Sequence, residues 1–144
     1  MIILDTDAVT FLEHQNNEVS EKLRGRLTDL SGEEEVATTV ISYEEQIRGW
    51  CAVLAKAHDT DKQIRAYDRL LKHLETYRDI DVLPYTAAAG RCFAELRVKK
   101  VRIGTMDLKI AAIALSLNAT LFSRSLADFQ QVPGLKVEDW TLLT

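Results

Sequence analysis

The chain has 144 residues, 47% of them hydrophobic and 28% charged, with a formal net charge of −4. Those proportions predict one globular domain over residues 1–144 and exclude a disordered chain and a two-domain enzyme. No apolar run approaches the roughly 20 residues that cross a bilayer, and Met1-Ile2-Ile3-Leu4-Asp5 lacks the basic start and the length of a signal peptide, so a cytoplasmic protein without a membrane segment is expected.

Ile2-Ile3-Leu4 is a short buried strand that stops at Asp5-Thr6-Asp7, where Asp7 is placed to cap a helix carrying Val9, Phe11 and Leu12. Val19, Leu23, Leu27 and Leu30 recur at helical spacing until Ser31-Gly32. The β-branched run from Val36 to Ile41 reads as a second strand, turning at Ser42. A helix then runs to about Ala57 with Tyr43, Ile47, Trp50, Cys51 and Leu54 on one side. Thr60 with Gln63 has the spacing of a capping box for the next helix, whose apolar face is Ile64, Tyr67, Leu70, Leu71, Leu74 and Tyr77. These two form a helical hairpin joined near His58-Asp59.

Asp81-Val82-Leu83-Pro84 is a third strand, and Thr86 caps a helix through Ala89, Phe93 and Leu96. Gly104-Thr105 opens a helix with Ile110, Ile113 and Leu117 on its face, stopped at Asn118. Ala119 to Ser123 is a fourth strand, and Leu135 to Glu138 a last one after the turn Pro133-Gly134. Strands alternating with helices predict a three-layer α/β/α domain with a mainly parallel central sheet of four to five strands, because parallel neighbours need crossovers.

Such sheets bind ligands where strand gives way to helix. Asp5 ends the first strand, Glu44 and Glu45 follow the second, Asp107 lies just after Gly104-Thr105, and Asp128 lies beyond the fourth strand. Each has a purely structural reading. Ser42 with Glu45 and Ser125 with Asp128 have reciprocal-cap spacing, and Asp107 could complement a helix dipole. Taken together that reading weakens, since gathered carboxylates repel unless a cation sits among them. Oxygen donors without cysteine or histidine suit Mg²⁺ or Mn²⁺, ions that handle phosphates.

Charge is unevenly spread: residues 1–45 hold eleven acids and three bases, the remainder eleven acids and fifteen bases. An acidic centre beside a basic flank suits a cation site next to a phosphate-bearing ligand. His14, His58 and His73 have no Asp or Ser at a telling spacing and read as surface or packing residues. Cys51 and Cys92 form no metal-binding spacing and read as buried thiols. The scattered glycines exclude a P-loop.

Four segments in order resemble the PIN-domain endoribonucleases of the VapC toxin type. They are Ile3-Leu4-Asp5-Thr6-Asp7, the stretch from Ile41 through Glu45 to Gly49, Ile103-Gly104-Thr105-Met106-Asp107, and the stretch from Leu121 through Ser123 to Phe129, followed by Pro133-Gly134-Leu135. The resemblance implies a Mg²⁺- or Mn²⁺-dependent ribonuclease with a catalytic, metal-binding cluster of Asp5, Glu45, Asp107 and Asp128. Glu45 is chosen over Glu44 because the family's glutamate stands four residues before a glycine, here Gly49. Thr6 or Ser123 would orient a ligand or water, while Ser125 stands where related toxins often have asparagine. It also implies a VapB-type antitoxin as partner, an RNA substrate and a homodimer. Trp50 and Tyr67 are expected in core packing. Arg48, Arg97, Lys99, Lys100 and Arg102 are nominated as phosphate contacts because their segments adjoin site residues.

Two alternatives stand beside this reading. Asp5-Thr6-Asp7-Ala8-Val9 also looks like the D-x-D-x-[TV] signature of haloacid-dehalogenase-like phosphohydrolases, with Asp5 as nucleophile, although Thr105 stands where their metal motif needs an acid. The other is a non-catalytic binding module on the PIN fold.

Overall fold

The computed structural model describes residues 1–13, 17–30 and 32–142. Among them, five strands form one wholly parallel sheet: β1 (Ile2–Leu4), β2 (Val36–Thr39), β3 (Asp81–Leu83), β4 (Thr120–Phe122) and β5 (Lys136–Glu138). The order across the sheet is β3-β2-β1-β4-β5. Helices α1 (Thr6–Glu13), α2 (Glu18–Asp29), α3 (Val40–Lys56), α4 (Thr60–Asp79), α5 (Ala87–Val98), α6 (Thr105–Ser116) and α7 (Leu126–Phe129) fill the connections. None of the described helices is long and apolar enough to cross a membrane.

The layers follow from strand periodicity, because successive side chains of a strand point to opposite faces. In β1, Ile3 joins a core with Leu96, Leu108, Ile110 and Ile113, whereas Ile2 and Leu4 join a second with Val9, Leu23, Tyr77 and Trp140. Likewise in β4, Leu121 lies in the first core and Phe122 in the second. Helices α5 and α6 cover one face, and α1, α2 and part of α4 the other. The chain winds outward from β1 to β3 and restarts on the other side at β4, so the reversal of strand order falls between β1 and β4. A crevice opens at such a reversal, at the carboxyl ends of the strands.

The caps differ from the sequence expectation at four helices. Asp5, not Asp7, caps α1, its Oδ1 accepting the Ala8 N–H at 2.8 Å. Thr39, not Ser42, caps α3, so this helix starts at Val40 and β2 ends two residues before Ile41. Asp59, not Thr60, caps α4, and the Gln63 amide instead donates to the Ala57 carbonyl at 2.9 Å. Ser125 precedes α7 without capping it through its side chain. Thr86 does cap α5, accepting from Ala89 N–H, and Asn118 ends α6 in the left-handed region at φ 51°.

A larger departure concerns α4. Of its predicted apolar face only Tyr77 is buried, with Ala66 and His73, while Ile64, Tyr67, Leu71 and Leu74 are exposed, Tyr67 by 62%. The apolar arc of α4 is wider than the neighbouring helix covers, so Tyr67 is no core residue. Trp50 is half-buried and its indole N–H donates to His73 Nε2 at 2.9 Å. Cys51 lies exposed on α3 rather than buried, and Cys92 is half-buried. The expectations for His14 and Ser31 fall outside the described residues.

Candidate active site

Asp5 leaves the sheet at the end of β1 and is 5% exposed, held by the Ala8 N–H and by a hydrogen bond from the Ser123 side chain. Ser123, fully buried beyond β4, accepts the Ser125 N–H at 2.9 Å, which fixes its hydroxyl toward Asp5. Burial dominates over these donors and pushes the Asp5 carboxyl up from 3.8 to about 6, with the charges of Asp7 and Asp107 adding to the rise. An ionised Asp5 is thus held by neutral donors alone in a buried place.

Glu45 is placed by the first turns of α3 and half-buried. Its Oε1 accepts the Thr6 hydroxyl at 2.7 Å, and the Ser42 hydroxyl stands 3.0 Å behind Thr6. Ser42 therefore supports Glu45 through Thr6 rather than capping a helix. The neighbouring Glu44 is committed elsewhere, in an ion pair with Arg48 one turn on. Asp107 sits in the first turn of α6, a helix that returns to the start of β4 and so has its beginning on the carboxyl side of the sheet. Its carboxyl is also raised, by burial first and then by the charges of Glu45 and Asp128. Asp128, in the first turn of α7, is exposed.

Asp5, Glu45, Asp107 and Asp128 all stand at or just beyond the carboxyl ends of strands or in the first turns of the helices that follow, and Asp107 feels the charges of Glu45 and Asp128 as Asp5 feels that of Asp107. Among the described residues none of the four is ion-paired with a side-chain cation, and no side chain caps α6. Nor, among those residues, do three acidic, histidine or cysteine side chains stand close enough to hold one ion between them. A donor set of carboxylates alone, without histidine or cysteine, fits Mg²⁺ or Mn²⁺, hard ions that bind through one or two carboxylates and keep several waters.

Residues 2–135 match the family profile described as PIN domain. The chain belongs to the PIN-domain family. Ribonuclease VapC1 of Haemophilus influenzae is 26% identical over 140 residues, covering 96% of this chain and 97% of the relative. The structure of VapBC-1 from nontypeable Haemophilus influenzae superposes with a TM-score of 0.70 at 26% identity, over 99% of this chain and 100% of that one. VapBC-5 of Mycobacterium tuberculosis, a member of the VapBC family of toxin-antitoxin systems, gives a TM-score of 0.58 at 25% identity over 94% of each chain.

Membership of the PIN-domain family displaces the haloacid-dehalogenase alternative. In this PIN domain Asp7, which that alternative needs as acid/base, is exposed and points to Arg124 at 4.0 Å. Among the nominated basic residues, Arg48 lies one turn after Glu45 but is tied to Glu44, and Lys99, Lys100 and Arg102 lie in the connection that leads into α6. The Arg97 guanidinium stacks on Phe93 within α5, 5.6 Å from the ring centre. Sequence reasoning passed over Arg124, which adjoins Ser123 and lies over the Phe11 ring at 5.0 Å. A base directly after the fourth strand was the available signal.

Proposed function

We propose that this protein is a metal-dependent endoribonuclease of the VapC toxin type, hydrolysing RNA phosphodiester bonds. Asp5, Glu45, Asp107 and Asp128 would hold Mg²⁺ or Mn²⁺ and carry the catalysis. The observation that carries the reading is the placement of four carboxylates beyond strand ends around the strand-order reversal, none ion-paired with a basic side chain among the described residues and two of them raised in pKa, by burial first and then by neighbouring acids. Such crowding weakens a fold unless a bound cation repays it. The family match and the relatives named ribonuclease and toxin-antitoxin support the same conclusion.

A bound divalent ion supplies a water of lowered pKa and neutralises charge developing on the phosphate. The chain's own residues prepare that place. Ser123 holds Asp5, and Thr6 holds one oxygen of Glu45, so both carboxylates are oriented before substrate arrives. Half-burial of Asp107 keeps the site partly dry, which strengthens every charge interaction within it. Lys99, Lys100, Arg102 and Arg124, with Arg48 and Arg97, would steer the RNA backbone, and a ribonuclease acting on cellular RNA works in the cytoplasm. The exposed stripe of Ile64, Tyr67, Leu71 and Leu74 supports a helix-binding partner such as a VapB-type antitoxin or a second copy of the chain.

The test is cleavage of total cellular RNA by antitoxin-free protein with Mg²⁺ or Mn²⁺, compared with Asp107→Asn. Discrete fragments that require the ion, and a rate lower by on the order of 10³ in the variant, are expected. Equal cleavage by both proteins would sink the reading, and a wild type without cleavage would favour the non-catalytic module.

A further inference from the structure

Beside Glu45 the surface opens into a cavity of about 360 Å³ lined by Glu45, Arg48, Gly49, Ala52 and Met106. The first four share one face of α3, at positions i, i+3, i+4 and i+7, and Met106 comes from the first turn of α6 next to Asp107. The cavity therefore shares a wall with the carboxylate site. Its volume is at the small end of ligand pockets, which run from roughly 300 to 1,000 Å³. One nucleoside fits such a space; a protein helix does not.

Gly49, the one glycine that lines this cavity, sets the height of its wall. Glycine within a helix is less favourable than alanine by an appreciable margin, and it is retained where the backbone or a close neighbour requires it. Neither holds here: Gly49 lies inside a regular helix of 17 residues, and a Cβ built on it would meet no atom within 4 Å. The space above Gly49 is empty with respect to this chain and continuous with the site. Ala52, one turn on, keeps the same face low.

We propose that this cavity is the base pocket of the enzyme, taking one unpaired nucleobase of the RNA strand beside the scissile phosphate. The proposal rests on the ribonuclease reading. Sequence-tolerant and sequence-selective RNA readers alike seat splayed bases on flat or soft side chains, and the polarizable Met106 thioether offers such a floor. Charge fixes the direction of the strand's contacts. The carboxylate end of the cavity repels phosphate except where a cation intervenes, so the backbone lies over the four acids and the base turns toward Gly49, Ala52 and Met106. Arg48 stands at the mouth, its guanidinium already turned by Glu44, and donates to the adjoining phosphate or sugar.

The experiment compares wild type, Gly49→Leu and Met106→Ala on total RNA with Mn²⁺, sequencing the new fragment ends and measuring KM and kcat on one cleaved species. The Cβ of leucine meets no atom of the chain and a helix-interior glycine is replaced by a good helix former, so the melting temperature should be no lower than that of wild type and its rise with Mn²⁺ unchanged, which certifies the fold and the ion site. Expected is a base preference at one position next to the cut, and a fall in kcat/KM of at least about tenfold in Gly49→Leu, chiefly through KM, with that preference lost. Met106→Ala should weaken the preference at the same position. Binding of short single-stranded RNA homopolymers by Asp107→Asn, with and without Gly49→Leu, should show the same loss without turnover. A Gly49→Leu enzyme with wild-type KM and cut sites overturns the proposal. So does one that cuts normally but escapes a co-produced antitoxin, which would give the cavity to a peptide arm. If wild type itself makes no ion-dependent fragments, the ribonuclease reading falls and the pocket with it, an outcome separable from loss of the pocket alone.

Discussion

Glu45 and Gln46 are consecutive residues of α3, and they belong to two polar regions built on opposite rules. Glu45 faces the site, where four carboxylates share a gap and no cation pairs with them. Gln46 faces a sealed network between α1, α3 and α4. Its amide donates to Thr10 at 2.8 Å and accepts the Tyr77 hydroxyl, while Glu13 receives His73 Nδ1 at 2.8 and 2.9 Å on its two oxygens. The Trp50 indole is a donor only, so His73 Nε2 accepts from it and the ring carries its proton on Nδ1, toward Glu13. Glu13 and His73 are as buried as Asp5, yet every polar atom of the pair has a partner. A carboxylate paired with a ring N–H of histidine ties helices together; one held only by hydroxyl and backbone donors keeps its charge for an ion.

If that contrast holds, amide substitutions in the two regions have opposite consequences. The largest effect is on chemistry: Asp5→Asn should lower ion-dependent RNA cleavage by on the order of 10³, whereas Glu13→Gln should leave the catalytic constant of the folded fraction near that of wild type.

Stability should move the other way. Asp5 has a folded pKa above its unfolded value, so its contribution is fully present below pH 3.8 and is lost as pH rises through about 6. At pH 7 without metal its ionisation costs the fold roughly 3 kcal/mol. Asp5→Asn should therefore raise the metal-free melting temperature at pH 7 and flatten the gain that wild type shows between pH 7 and pH 5. Mn²⁺ should stabilise wild type at pH 7 and less at pH 5, with little effect on the variant. Melting curves at the two pH values, with Mn²⁺ and with chelator, check all three.

Glu13→Gln should lower stability by about 2 kcal/mol at any of these pH values, because its new NH₂ faces either the His73 Nδ1–H or the Gln46 amide. Urea midpoints measure it; a neutral result would mean that the network tolerates a flipped donor and that the contrast is overdrawn. Trp50→Phe is the mildest, leaving His73 Nε2 unpaired at a cost of about 1 kcal/mol in the same titration.

Strands and their order of appearance are legible in the sequence because each apolar run is bounded by a polar residue at the crevice. The site acids are legible for the same reason. The caps are less so, and the errors share a cause. Asp5-Thr6-Asp7 and Asp59-Thr60-Asp61 each offer three residues able to cap, and both helices use the first, since the cap is the last residue with extended backbone. Thr38-Thr39 and Ser42 present the same ambiguity. The width of the apolar arc on α4 was readable, but not that its outer half at Tyr67 and Leu71 has no cover within the chain. Glu13 and His73, sixty residues apart, give no local sign of their pairing.

The position of β1 has a consequence for the life of the molecule during synthesis. It precedes the other four strands in the chain and lies in the middle of the sheet, and its partner β4 spans residues 120–122. Ser123, which holds Asp5, and Asp128 come later still. A growing or prematurely ended chain that lacks these residues has Asp5, Glu45 and Asp107 but nowhere to bring them together. The candidate site therefore comes together only after β4 and α7 have been made, however early Asp5 is in place.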